Sequence, residues 1–337
     1  MQFAKNQNDN VCLNKGGCNN YWWMQLILPI AGMLFLAGLI SSNLLSATAV
    51  ADANEAKPKS IIAEGAQPKL VSRDYSFTEG PAVDKDGNIY FTDQPNDKIL
   101  KWSVEDGSIS VFLDKAGRAN GMFFDKEGNL YACADEKNEL WKIDKDGKVT
   151  VLVKDFEGKL LNGPNDLWIS PLTGAIYFTD PMFARNYWTR SRQVQQEAGQ
   201  QVYYISPDRK TVKRLTDDMR QPNGIVGTPD GKTLYVADMG ANQTYKYTIN
   251  EDGSISDKTP FCRMGSDGMT IDEQGNIYLT GNGGVTVFNS KGEQIEKITP
   301  TRGWHANVCF GGKDRKTLFI TAGNSVFTLE MNVKGVQ

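Results

Sequence analysis

A segment that recurs six times restricts the folds open to this chain more than any other feature. In order the copies are DKDGNIYFTD (84–93), DKEGNLYACAD (125–135), SPLTGAIYFTD (170–180), TPDGKTLYVAD (228–238), DEQGNIYLTG (272–281) and GKDRKTLFITA (312–322). Each is a polar turn followed by an alternating strand centred on an aromatic: Tyr90, Tyr131, Tyr177, Tyr235, Tyr278 or Phe319. These aromatics stand 41, 46, 58, 43 and 41 residues apart. Such a period, with strand–turn–strand content, suits the four-stranded blade of a β-propeller. Further alternating pairs fill the intervals, such as KILKWSV then SISVFLD and ELWKIDK then VTVLVKD, separated by turn residues. No amphipathic helix longer than a few turns is visible. The fold expected is all-β, a six-bladed propeller.

Eleven or twelve residues before each aromatic stand Glu79, Asn120, Asn165, Asn223, Asp267 and Asn307. Their contexts are TEGPAV, ANGMFF, PNDLWI, PNGIVG, SDGMTI and ANVCFG. Every one ends in a carboxylate or a carboxamide, just before the first strand of its repeat. The first strand of each propeller blade lines the central channel. The six side chains are therefore expected to converge on one axis, at one end. Asn and Asp also precede strands simply as turn residues. That reading does not account for Glu79, nor for an oxygen at the same register in all six repeats.

Carboxylate and amide oxygens are hard ligands, and Ca²⁺ accepts six to eight of them in flexible geometry. Glu79 and Asp267 would offset the ion's charge, and Asn165 and Asn223 would complete the protein's share. Mg²⁺, Mn²⁺ or Zn²⁺ are the substitutes, although Mg²⁺ demands a tighter octahedron and Zn²⁺ prefers nitrogen or sulfur. A cation with open positions can polarise an ester or lactone carbonyl and stabilise the oxyanion formed on attack. A carboxylate must then take a proton from water. Asp267 and Asp166 are the candidates. Asp267 would share this work with metal binding, and Asp166 has bracing of its neighbours as its other reading.

The histidine count narrows the chemistry further. The only one is His305, so a multi-histidine zinc site is excluded, and no G-x-S-x-G elbow accompanies it. Cys12, Cys18, Cys133, Cys262 and Cys309 form no CxxC pair, which argues against a zinc or redox motif. Charge is nearly balanced, 37 Lys+Arg against 40 Asp+Glu, and no basic stripe suggests nucleic acid.

Residues 1–53 read as a leader apart from the fold. No charge occurs from 19 to 51, and 26–40 (LILPIAGMLFLAGLI) is almost purely apolar. Lys5 and Lys15 precede this run, and Ala51, Asp52 and Ala53 form an A-x-A-like site after it. The layout is that of a secretory signal peptide. The alternative is an uncleaved membrane anchor, for which the run is short against the roughly 20 residues a span takes. Either places the folded part outside the cytoplasm, in a periplasm or beyond. Residues 54–68 read as a polar tether and 69–337 as the propeller, expected to be monomeric because closure leaves no free sheet edge.

The motifs FTEGPAVD (77–84), ANGMFFD (119–125), GKLLNGPNDLWISP (158–171), QPNGIVGTPDGKTLYVAD (221–238) and SDGMTIDEQGNIYLT (266–280) resemble the gluconolactonase and SMP-30 family. The resemblance runs from about residue 75 to 322, and LNGPNDL and YFTDP are closest to its bacterial gluconolactonase branch. It implies a six-bladed propeller with a divalent metal on its axis, held by Glu79, Asn223 and Asp267. It also implies that Asn165 meets metal, substrate or both, and that Asn120 lines the substrate pocket. The implied activity is hydrolysis of sugar lactones.

The long interval between Tyr177 and Tyr235 holds PMFARNYWTRSRQVQQEAGQQ (181–201), expected as a loop over the channel mouth. Arg185, Tyr187, Trp188 and Arg190 would contact substrate there or else pack the loop onto the rim. His305, two residues before Asn307, is either a proton carrier at the mouth or a structural hydrogen-bonder. Asn307 itself is expected to touch substrate. Two other functions stay open: a non-catalytic NHL-like binding propeller, and metal-dependent hydrolysis of aryl esters or phosphotriesters. A scaffold gains nothing from two carboxylates on its axis, which repel unless a cation lies between them.

Overall fold

The computed structural model describes residues 60–190 and 199–337. The leader, most of the tether and part of the mouth loop lie outside them. Among the described residues no helix is long and apolar enough to cross a membrane.

Six antiparallel sheets of four strands follow one another along the chain. Blade one is Thr78–Val83, Ile89–Asp93, Lys98–Trp102 and Ile109–Asp114. Blade two is Met122–Phe124, Leu130–Ala134, Glu139–Ile143 and Val149–Val153. Blade three is Leu167–Ile169, Ile176–Asp180, Gln201–Ile205 and Val212–Arg214. Blade four is Pro222–Gly227, Thr233–Asp238, Gln243–Ile249 and Ile255–Cys262. Blade five is Met269–Ile271, Ile277–Gly281, Gly284–Phe288 and Gln294–Ile298. Blade six takes Asn307–Gly311, Thr317–Ala322 and Ser325–Glu330 from the end of the chain and Lys69–Ser72 from its beginning. The innermost strand of each blade touches those of both neighbours, and the sixth touches the first, so the ring is closed.

The repeated aromatics explain why the blades stack. All six are buried, and several meet a ring from another strand or blade. Tyr90 meets Phe124 edge-on at 5.0 Å, Tyr278 meets Phe310 at 5.1 Å, and Phe319 lies 5.6 Å from Phe91. Burying each such side chain stabilises the fold by about 1.5–3 kcal/mol, and edge-to-face pairing adds to it.

The ring is closed by the last strand of the chain. That strand is Ser325–Glu330, which pairs with Lys69–Ser72. The tail beyond it makes isolated bridges, Ile62 with Met331 and Asp272 with Gly335. Packing also begins before residue 69. Ile61 is buried with Met331 and Val333, and the Ala63 N–H donates to the Glu330 carbonyl. The apolar pair Ile61 and Ile62 anchors what the surrounding polar sequence reads as tether.

Candidate active site

A one-residue irregularity sets the site. In blade one the pairing passes from Glu79–Thr92 to Ala82–Tyr90, and in blade four from Pro222–Asp238 to Ile225–Val236. Each inner strand carries one residue more than its partner there. In blade two, Cys133 bonds Asn120 through its carbonyl and Gly121 through its N–H; Thr179 does the same to Asn165 and Asp166, and Thr280 to Asp267 and Gly268. These are β-bulges, which re-aim a side chain without ending a sheet. They explain why the oxygen-bearing residues appear in sequence to precede their strands, whereas Glu79 and Asn223 lie within them; Asn307 also lies within its strand, in regular register.

The residue after the oxygen-bearer is glycine in four blades because the neighbouring blade occupies its side-chain space. A Cβ on Gly121 would stand 2.6 Å from the Asn165 carbonyl oxygen and 2.3 Å from Asp166 Oδ1. One on Gly268 would stand 2.0 Å from Asn307 Cγ. Threonines two residues after the repeated aromatic join the blades. Thr179 Oγ1 donates to the Asn223 carbonyl at 2.8 Å, and Thr280 Oγ1 to that of Ala306 at 2.7 Å. The recurring T of YFT, YLT and FIT was a readable signal for this latch, which the motif reading passed over.

All six expected residues are buried and close on one another. Asn223 Nδ2 donates to Asp267 Oδ1 at 2.8 Å, and the Trp304 indole N–H donates to Asp267 Oδ2. The Gly80 N–H reaches Glu79 Oε2 at 3.0 Å. Asp166 Oδ1 accepts from the Leu167 N–H at 2.9 Å. Asn307 lies in the wall: its Oδ1 accepts from the Val308 N–H at 2.8 Å and its Nδ2 faces Asp166 Oδ2 at 3.5 Å. Glu79 Oε1, Asn165 Oδ1, Asn223 Oδ1 and both polar atoms of Asn120 remain buried without a partner. An unpartnered buried polar atom costs about 1–3 kcal/mol, so such a concentration calls for a ligand.

Electrostatics point the same way. Burial and then the charge of Asp267 push the Glu79 carboxyl well above its usual range, against the Gly80 N–H and Arg185. Burial raises Asp267 too, opposed by Trp304, Arg185 and Asn223. Asp166 is pushed up to about 8 by burial, with Asp267 adding to it. Among the described residues no group of three or more His, Cys, Asp or Glu side chains is placed to hold a metal. The donor set fits a hard divalent cation only if amide oxygens take part, and those are the atoms left unpartnered.

The mouth loop divides as the two sequence readings did. Tyr187 Oη donates to Gln94 Oε1, the Thr189 N–H donates to Glu136 at 2.6 Å, and the Arg190 guanidinium lies 3.5 Å over the Trp188 ring. Tyr187, Trp188 and Arg190 pack the loop down, together with the Thr189 backbone. Arg185 is the one whose charge acts on Glu79 and Asp267. His305 is fully enclosed, with Nδ1 at 3.2 Å from the Gly303 carbonyl, and burial pushes its pKa down. Trp304 escaped the sequence reading altogether, since a tryptophan in an irregular loop carries no spacing signal.

Residues 77–324 match the family described as SMP-30/Gluconolactonase/LRE-like region. A gluconolactonase of Zymomonas mobilis is 27% identical, over 92% of this chain and 96% of its own length. The lactonase drp35 of Staphylococcus saprophyticus is also 27% identical, over 69% of this chain and 73% of its own. A solved gluconolactonase structure from Xanthomonas campestris superposes with a TM-score of 0.75 at 29% identity, covering 80% of this chain and 91% of that one.

Proposed function

We propose that this chain, which belongs to the SMP-30/Gluconolactonase/LRE-like family, is a lactonase that opens sugar lactones at the oxygen ring on its axis with the help of Ca²⁺. The observation that carries the reading is the set of buried, unpartnered oxygens on Glu79, Asn120, Asn165 and Asn223 beside Asp267. The names of the relatives, gluconolactonase and lactonase, support the reaction class.

Glu79, Asn165, Asn223 and Asp267 would hold the ion, Glu79 and Asp267 supplying the charge and the two amides neutral oxygens. When bound, the cation supplies a Lewis acid for the lactone carbonyl oxygen. Asp267 has both oxygens engaged, by Asn223 and Trp304, and so is suited to a fixed ligand role. Asp166 Oδ2 meets Asn307 at the long distance of 3.5 Å, and so is suited to take the proton of the attacking water. The ring oxygen leaves with a proton and a hydroxy acid results. Asn120, with both amide atoms free, can meet substrate hydroxyls. Arg185, whose charge acts on Asp267, would meet the carboxylate that ring opening creates.

The test is turnover of glucono-1,5-lactone by the purified full-length protein in a pH-indicator assay, chelator-stripped and then resupplied with Ca²⁺, beside an aryl ester and a phosphotriester. Activity on the lactone that returns with Ca²⁺ is the expected result. Turnover indifferent to the ion, or faster on either of the other substrates, would overturn the assignment.

A further inference from the structure

The channel has a second mouth. Val83, Phe124, Ile169, Gly227 and Ile271 end the innermost strands of blades one to five, and all five line a cavity of 480 Å³. The oxygen ring lies toward the opposite ends of the same strands, four residues and so about 13 Å away at the usual rise per residue. The volume falls within the range of small-molecule pockets, roughly 300–1,000 Å³.

Its walls have two characters. Trp168, Phe123 and Ile271 make an apolar side, and the Trp168 ring lies against Gly227, where a Cβ would stand 2.4 Å from it. Leu172 at the rim is 68% exposed. The lining side chains that carry charge are Lys85, Lys126, Arg209 and Arg315 against Asp125 and Glu127, and Gln337, the last residue, lines the cavity with them. Asp125 is engaged by the backbone and side chain of Asn129, and Arg209 by the Gly174 carbonyl and Tyr131. Arg315 is different. Its Nη2 donates to the Asp84 carbonyl at 2.7 Å, which fixes the guanidinium, while Nη1 is buried without a partner. A fixed guanidinium with an unused N–H, in a cavity that an indole also lines, is a carboxylate receptor.

We propose that this second mouth binds a small organic acid with an apolar body, its carboxylate on Arg315 and its body against Trp168 and Phe123. The site is independent of the axial oxygen ring and does not rest on the lactonase reading.

Isothermal titration of the full-length protein tests it, with phenylacetate as the probe and 2-phenylethanol as its uncharged counterpart. Phenylacetate binds with one saturable isotherm, and the alcohol at least about fivefold more weakly, since a charge-assisted hydrogen bond contributes that much. Arg315→Met weakens phenylacetate by about tenfold or more, whereas Asp267→Asn at the ring leaves it unchanged. Leu172→Asp changes an exposed residue and puts a repelling charge at the rim. It weakens phenylacetate severalfold in a protein that still folds, so a misfolded Arg315 variant does not leave the question open. No saturable binding, equal binding of the alcohol, loss of binding in Asp267→Asn, or full retention in Leu172→Asp would each overturn the proposal.

Discussion

Asp93, Asp180 and Asp238 end the second strands of blades one, three and four, and they are as buried as Glu79 and Asp267 in the ring. Their oxygens have quite different neighbours. Asp93 accepts from the N–H groups of Ser76 and Phe77, Asp180 from those of Asn162 and Gly163, and Asp238 from those of Arg220 and Gln221. In each case these donors lie two and three residues before the oxygen-bearer of that blade. One set of carboxylates holds the loops in place through backbone dipoles. The other is presented by those loops: Glu79 keeps an oxygen in reserve, and Asp267 meets only side-chain donors, Asn223 and Trp304. Burial is common to both, so what separates a structural acid from a candidate ligand is where its lone pairs go.

Three substitutions probe this contrast. Glu79→Gln keeps the shape and the Gly80 contact but removes a ring charge. We expect kcat/KM for the lactone to fall by about 10³ or more, as for loss of a group that stabilises transition-state charge. The metal-free variant should be at least as stable in urea as the metal-free parent. Asp180→Ala should reverse that pattern. It orphans two buried N–H donors, so unfolding free energy should drop by about 3–5 kcal/mol, with a smaller loss of turnover per folded molecule. Turnover lost without stability in that variant would break the division.

Blade two supplies the third and smallest effect. Its acid, Asp135, comes one residue later than the others. It caps no loop of its own blade; it accepts from Gln94 Nε2 at 3.0 Å and lies near Arg185, Arg190, Trp188 and Asp180. Burial pushes it up to about 7, against the two arginines. A raised carboxyl keeps its proton in the folded state, so its contribution to stability is full at low pH and is lost as pH rises toward 7. Asp135→Asn should therefore gain stability relative to the parent between about pH 4 and 7, by on the order of 2 kcal/mol, in urea melts at several pH values. A flat difference would return Asp135 to the capping class.

The sequence carried the blades and the register of the oxygen ring because both are periodic: six turns, six aromatics, six oxygens at one offset. It did not carry what depends on neighbours distant in the chain. The bulges that turn Glu79 and Asn223 inward leave no composition signal. The contact of Asn307 with Asp166 depends on blades three and six meeting. Trp304 reaches Asp267 from a loop 37 residues away. The tether reading missed Ile61 because two isoleucines in a polar stretch are too few to show a period.

Calcium binding to the chelator-stripped full-length protein, followed by titration calorimetry for the parent and Asp267→Asn, tests the central claim that the axial oxygens form a cation site. The account predicts one ion per chain for the parent and about 100-fold or weaker affinity for the variant, since a carboxylate is removed from a largely neutral donor set. An equal affinity in the two proteins, or no binding to the parent, would contradict it.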